Sequence, residues 1–362
     1  MAIDRRDVLK LGALSALGPF ATQAIAADMK LELKMSGYPH EHVKGLASGA
    51  VEIEGASISF SPGKIGDINS HVFDGPREFA FTEIGLSPYI VSFADHDFRA
   101  YSLIPVFPLR IFRHKSIFVH ADAGIEKPED LKGRRVTTPG YSSTSLTWIR
   151  GILQDEYGVT PQDVEWVLSA ADSSAGVSGK ISRQETVMPE GLKYSVGPEG
   201  KDESDLLLDR DVDAIYHAAE PRAFVERHPK VKRLFDDARQ VERDYYASTG
   251  IYPVMHAVAM RNDLIDEHPW LIKAVFDAYS QAKSMTYADM QNKWFLRTIP
   301  WFAQELEATQ ELMGRNFFPY GMEANRKSVE TLLRYMHEQG LASREVKVEE
   351  MFHPASMELI DG

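Results

Sequence analysis

The stretch IPVFPLRIFRH, residues 104–114, sets Arg110, Arg113 and His114 among apolar residues. It opens in one β-rich run, Leu103–Phe107, and leads into another, Ile117–Val119. Towards the N-terminus, Leu31–Met35 reads as a strand running into a loop at Ser36–Tyr38, and Ser57–Phe60 as a second strand. Glu78–Phe81 leads through Thr82 and Glu83 into a helix carrying Leu86, Tyr89 and Ile90. Towards the C-terminus come a short helix at Pro128 that ends at Gly133, a strand at Arg135–Thr137 and a turn at Pro139–Ser142. A helix follows from about Ser143 to Tyr157, with Leu146, Ile149, Ile152 and Leu153 on one face. Val212–Tyr216 is another strand. Repeated strand–helix alternation predicts an α/β fold with mainly parallel sheets. Beyond Asp263 the pattern is helical almost to the end, and the Gly-, Ser-, Glu- and Lys-rich segment 170–205 reads as irregular and surface-exposed.

At 362 residues and ~150 residues per domain, two domains are expected. Hydrophobic residues at 44% allow sizeable cores, and a net charge of −13 argues against nucleic acid, whose phosphates demand a basic face. An acidic protein that binds an anion must gather its cations locally, so the arginine cluster is informative. The absence of cysteine excludes disulfides, thiolate metal sites and cysteine nucleophiles. Residues 1–27 read as an export leader: Arg5-Arg6 with Val8-Leu9-Lys10, an apolar run from Leu11 to Ala21, and a small-residue cleavage site at Ala24-Ile25-Ala26. The paired arginines are similar to a twin-arginine signal, which implies passage through that export machinery. The apolar run is too short to span a bilayer, so a soluble periplasmic protein is expected.

With these elements in place, residues 104–114 resemble the 4,5-dihydroxyphthalate decarboxylase family. The likeness continues through Leu131–Val136, Trp148–Gly158, Thr249–His256, Pro319–Asn325 and Glu338–Leu341. It implies the two-lobed type 2 periplasmic-binding-protein fold, with a ligand cleft between the lobes and a helical C-terminal region. It further implies two crossings between lobes, near Arg110–Ser116 and Thr249–His256. Lobe one is then 28–112 plus 255–362, and lobe two is 113–254.

Several residues can carry chemistry in such a cleft. Arg110 and Arg113 can clamp carboxylates through their planar guanidinium groups. Their spacing of three sends them to different faces of a straight strand, so one of them is expected to meet the ligand. His256 and His114 are candidate proton donors, with a buried neutral histidine as the alternative. Glu83, read at the opening of a helix, is either a phenol partner or a cap in the first turn, and Ser87 lies one turn further on. Tyr141, Ser142, Ser143 and Thr144 stand at a strand-to-helix junction, where free N–H groups and hydroxyls suit an anion and where N-capping is the plainer role. Tyr38 stands in the first loop with His40 and His42, an H-x-H pair that reads as a solvated loop more readily than as a metal site. His217 and Glu220 follow a strand and are candidate cleft residues, and Tyr320 is a candidate to reach the cleft. Relatives carry a carboxylate and a bulkier residue at the positions of Gly140 and Ser143, which leaves the substrate open.

Two functions follow. The first is decarboxylation of a small anionic aromatic ligand, with His256 or His114 as acid, Glu83 at the phenol and Arg110 or Arg113 as clamp. No cofactor is expected, although a divalent metal that chelates a catechol is compatible. The second is a binding protein that delivers an aromatic carboxylate to an ABC-type membrane transporter.

Overall fold

The computed structural model describes residues 30–361, so the export leader expected at residues 1–27 lies outside the described residues. Strand β1, Leu31–Gly37, turns Leu33 and Met35 inward and Glu32 and Lys34 outward, the alternation of a half-buried strand. It pairs in parallel with β2 (Ala56–Pro62) and β3 (Phe81–Gly85). With β4 (Tyr101–Ile104) and a late strand, His256–Arg261, these form a five-stranded sheet. A second, six-stranded sheet uses β5 (Ile117–His120), β6 (Arg135–Thr138), β7 (Glu165–Leu168), β8 (Tyr194–Val196), β9 (Ala214–Tyr216) and β10 (Val231–Arg233). With His256–Arg261 as β11, the orders are β2-β1-β3-β11-β4 and β10-β5-β9-β6-β7-β8. Both sheets are mixed. β11 runs antiparallel to β3 and β4, and β5 runs antiparallel to β9 and β10. Parallel pairings still outnumber antiparallel ones, five to four, and the exceptions arise because the strands entered after each passage between sheets insert against the direction of their neighbours.

The helices that frame the cleft are α1 (Ile65–Asp74), α2 (Leu86–Asp95), α3 (Thr144–Tyr157) and α4 (Glu203–Leu208). They are followed by α5 (Ala238–Thr249), α6 (Leu271–Asn292), α7 (Phe302–Met313) and α8 (Met322–Glu338). Helix α3 starts at the N-cap Ser143 and stops at Gly158, whose φ of +62° is the left-handed conformation a glycine adopts freely. Helix α8 buries Val329, Leu332, Leu333 and Met336, each contributing ~1.5–3 kcal/mol by leaving water, and packs against α3. The approach is close. A Cβ on Gly151 would come within 2.2 Å of the Tyr335 ring. Beside it, Tyr335 donates to Asp155 at 2.6 Å and Arg150 to Gln339 at 2.8 Å. One hydrophobic cluster runs from α2 through α3 to α8, so the two sheets share a packed seam.

The chain passes from one sheet to the other through 105–116 and back through 250–255. The two passages lie antiparallel: Ile111 N–H donates to Pro253 O at 3.2 Å and Met255 N–H to Leu109 O at 2.9 Å. Segment 170–205 is largely irregular and exposed or half-buried, as expected, but not throughout. It contains β8 and the start of α4, buries Gln184, Glu203 and Ser204, and contributes wall to the cleft. Its polar composition hid the buried part, because Glu203 and Ser204 are held by hydrogen bonds with Ser173 and Ala223 N–H and not by apolar contact. Among the described residues no helix is long and apolar enough to cross a membrane.

Candidate functional site between the two sheets

A cavity of about 390 Å³ opens where the two passages meet α1 and the start of α3. Its flanks are apolar, formed by Ile65, Leu109, Ile111, Val177 and Ala218 with the ring of Tyr38. Its polar groups are Asn69, Arg113, Ser143, Thr144, Ser145, Ser174, Ser178, His40, His256 and Glu185, the last with a carboxylate that accepts from Ser182 N–H and its hydroxyl. A smaller cavity of about 60 Å³ adjoins it and reaches Asp172 and His217. A wider surface groove of about 560 Å³ beside α6 is a poor rival. Its charges already pair with one another, Arg297 with Glu41 and Asp289, and Lys293 with Asp289.

On the first wall, β3 and β11 pair so that Glu83 lies opposite Val258 and Gly85 opposite His256. Glu83 and His256 are therefore diagonal neighbours on one face of the sheet. The His256 Nδ1 and Glu83 Oε1 atoms are 2.6 Å apart. His40 Nε2 reaches the same carboxylate at 3.0 Å, and Tyr38 N–H donates to it at 2.8 Å. Glu83 is fully buried. Burial alone would raise its carboxyl, yet the hydrogen bonds from His256 and His40 hold it well below the usual carboxylate range. Gly37 makes room for it, since a Cβ there would lie 3.0 Å from Glu83 Oε2. Tyr38 stacks on His256 with ring centres 6.0 Å apart.

On the second wall, Arg113 is 2% exposed. It donates to Ala218 O at 2.7 Å and to the Ser145 hydroxyl. Among the described residues no carboxylate pairs with it, and its Nε has no partner. Burial pushes its guanidinium down to about 9. Across the cavity Asn69 accepts from Gly85 N–H at 3.1 Å, while its own Nδ2 is buried without a partner. Ser143 caps α3, whose first turn faces the cavity, and the Thr144 hydroxyl accepts from Ser87 N–H at 2.9 Å.

The structure brings Tyr38, Arg113, Ser143, Thr144 and His256 together at the main cavity and His217 at its extension. It moves others away. Arg110 turns to the opposite side of its strand, donating to Tyr252 O at 2.7 Å and stacking on the Tyr252 ring. It stands outside the residues that line the cavity, although its Nε, like that of Arg113, has no partner. His114 enters a short helical turn that points its ring between Phe235 and Tyr245, with neither nitrogen bonded, so it cannot reach a ligand in the cavity. Glu83 does not open a helix. It is inside β3, buried, and both its oxygens accept from neighbours, His40, His256 and Tyr38 N–H, an arrangement that positions His256. Ser87 is buried against Thr144 and Thr147. Tyr141 packs on Arg150 and Trp166 in the core, and Ser142 binds the 184–187 loop. Tyr320 is buried under Lys283, and Glu220 pairs with Arg233 at the surface. His40 and His42 are not a solvated loop. His40 belongs to the Glu83 cluster, and His42 is pushed down to about 4 by burial and by His40.

Asn69, Ser145 and Ser174 were not singled out in the sequence, since lone polar residues on an unremarked helix or in a Ser-rich loop carry no local signal. His114 has a measurable consequence. Burial pushes it down to about 4 from an ordinary value of 6.5. The folded protein keeps it neutral while the unfolded chain takes up a proton below that ordinary value, so stability falls as pH drops through this window. His114→Phe is expected to flatten that fall, leaving the share from His42, as read from urea midpoints at neutral and mildly acidic pH.

The NMT1/THI5 like family matches residues 110–183. The chain is 34% identical over 330 residues to 4,5-dihydroxyphthalate decarboxylase of Comamonas testosteroni, covering 91% of this chain and 98% of that protein. It is 30% identical over 217 residues to the Pseudomonas putida protein of the same name, covering 60% of this chain and 82% of that one. Among solved structures, the periplasmic aliphatic sulphonate binding protein SsuA of Escherichia coli superposes with a TM-score of 0.51 at 14% identity, over 90% of this chain and 92% of that one. The architecture is that of the two-lobed type 2 periplasmic binding proteins, and by its near full-length likeness the chain belongs to the 4,5-dihydroxyphthalate decarboxylase family.

Proposed function

We propose that the cleft binds a small aromatic carboxylate of the dihydroxyphthalate class and releases CO2 from it by protonation at the ring carbon that bears the carboxylate. The observation that carries this reading is the pairing of unsatisfied buried donors, Arg113 Nε and Asn69 Nδ2, with His256 around one apolar-walled cavity. A buried cation without a carboxylate is costly unless a ligand anion completes it. The apolar flanks suit the faces of an aromatic ring.

In this mechanism Arg113 and the first turn of α3 hold a carboxylate of the ligand. A ring hydroxyl ortho or para to the departing carboxylate supplies electron density to the ipso carbon. His256, held at Nδ1 by Glu83, delivers a proton to that carbon from Nε2, forming a C–H bond. The C–C bond to the carboxylate then breaks. Its electron pair restores the aromatic ring, and CO2 leaves. His256 recovers its proton from solvent, so the net change is one proton taken up and one CO2 released. No resident cofactor is required by this scheme.

The leader favours a second reading, in which the mature protein works in the periplasm. There the same clamp delivers an aromatic carboxylate to an ABC-type transporter, with closure of the lobes supplying selectivity. One experiment separates the two. Purified mature protein is mixed with 4,5-dihydroxyphthalate, and CO2 release and binding heat are followed together. The decarboxylase reading expects turnover that His256→Ala lowers ~10²–10⁴-fold while binding heat persists. Saturable binding without CO2 supports the transport reading, and neither signal rejects both.

A further inference from the structure

Away from His256, the wall formed by the second sheet holds a separate cluster. Asp172 lies in the loop after β7, Glu203 opens α4, and His217 follows β9. One ligand atom from each lies within 4.8 Å of the other two. His217 Nε2 is 3.2 Å from Asp172 Oδ1 and 3.4 Å from Glu203 Oε1. These separations contrast with the 2.6 Å of His256 and Glu83. They exceed the ~2.7–2.9 Å of a charge-assisted N–H···O bond. They match the ~3.0–3.4 Å edges of a coordination shell whose bonds are ~2.0–2.1 Å long.

Charge points the same way. His217 and Glu203 are fully buried, and among the described residues the two carboxylates pair with no lysine or arginine. Arg222, whose backbone N–H donates to the Ser173 hydroxyl, has its guanidinium engaged by Asp202 and Asp205. Two carboxylates therefore face one imidazole. The second ring nitrogen adds an independent sign. Nδ1 lies 2.9 Å from Ala219 O, the backbone-carbonyl contact that leaves a metal-bound histidine with a bare Nε2. Without a metal, that nitrogen must itself carry a proton to face two carboxylate oxygens. The Ala219 N–H, 3.0 Å from the same nitrogen, suits the opposite tautomer. The rival filling is a proton on Nε2, since the imidazole, lowered by burial, is raised overall by the Asp172 hydrogen bond and the Glu203 charge, or one on Glu203, whose carboxyl burial pushes up.

We propose that Asp172, Glu203 and His217 bind a divalent cation of the Mn²⁺ or Zn²⁺ class, with its open coordination positions facing the small cavity that adjoins the cleft. One imidazole and two carboxylates make a mixed N,O donor set that suits such ions. Ser174 N–H, 2.7 Å from Asp172 Oδ1, and the Ser173 hydroxyl on Glu203 orient the carboxylates. That the ion meets phenol oxygens of the ligand is a deepening that rests on the proposed function. The ion site itself does not.

The test uses the purified mature chain, stripped with a chelator and titrated with Mn²⁺ in the absence of any aromatic acid, by calorimetry and electron paramagnetic resonance. Wild type and the control His114→Phe are expected to take up a single equivalent. His217→Ala and Asp172→Asn are expected to weaken uptake by ~100-fold or more. Pulsed resonance of the wild-type complex is expected to show coupling to an imidazole nitrogen, a readout that stands even where the variants fold poorly. Absence of saturable uptake, absence of that coupling, or uptake unchanged in both variants overturns the proposal. Because no acid is present, this result is read independently of whether CO2 is ever released.

Discussion

Glu83→Gln is expected to lower CO2 release ~10²–10⁴-fold while changing ligand affinity by less than about threefold, a shift far under the 1.4 kcal/mol that makes a decade. The carboxylate accepts from three groups at once: His256, His40 and Tyr38 N–H. An amide keeps the shape but has one acceptor oxygen, and its NH2 opposes whichever donor it meets. The His256 ring then loses the anion that fixes its orientation. Arg113 and Asn69 are untouched, so the ligand still binds. A purely structural role for Glu83 would depress affinity and turnover together, so the division between KM and kcat decides the matter.

The same substitution carries a stability signature. Loss of one charge-assisted hydrogen bond costs ~1.5–3 kcal/mol, measured by urea unfolding at neutral pH. The pH dependence has a definite sign. The folded carboxyl is held below its ordinary value of 4.5, so the unfolded chain takes up the proton first as pH falls. Glu83 thus contributes stability above about that ordinary value, and the contribution drains away below it, towards the lower folded value. Glu83→Gln removes this share of the acid sensitivity. An unaltered acid limb in the variant would contradict the buried ionised state.

Arg113→Ala is the second large effect. Truncating one partner of a buried charge pair costs ~2–5 kcal/mol of binding, or ~30- to several-thousand-fold in Kd at 1.4 kcal/mol per decade. The effect on folding is expected to be small in either direction. Arg113 has no carboxylate to leave stranded, and removing an unpaired buried cation relieves its desolvation while giving up the bonds to Ala218 O and Ser145. Arg113→Lys is expected to bind nearly as poorly, because an ammonium cannot reproduce the planar fork. Arg110→Ala makes the comparison sharp. That side chain bonds Tyr252 O and stacks on the Tyr252 ring, so its loss should show in stability with only an indirect effect on affinity. Calorimetry with 4,5-dihydroxyphthalate, beside thermal melts of all three variants, checks the pattern. Equal loss of affinity for Arg110→Ala and Arg113→Ala would refute the assignment of a single clamp.

Residues 104–114 made the clamp visible because an acidic chain rarely places two arginines so close among apolar neighbours, and their spacing of three already required them to part. Which of them meets the cavity depended on the bridge between Arg110 and Val254, a pairing across a long chain separation that no local pattern contains. His114 and Glu83 illustrate the same limit. Each is the residue type the chemistry asks for, and burial decided against the expected role. One is surrounded by aromatic rings, and the other is buried and engaged by three donors.

The amino-acid order alone determined the α/β class, the helical C-terminal region and the family, since these follow from short-range periodicity and from motifs spread along the chain. It also marked Arg113, Ser143, Thr144, His217 and His256 as residues able to hold an anion or move a proton. Only the tertiary structure decided that His256 is bound by Glu83, that Asn69 joins Arg113 as an unsatisfied donor, and that Asp172 and Glu203 converge on His217. Those contacts join residues separated by tens to more than a hundred positions. Their energies come from burial and hydrogen-bond geometry, quantities that exist only once the two sheets have packed together.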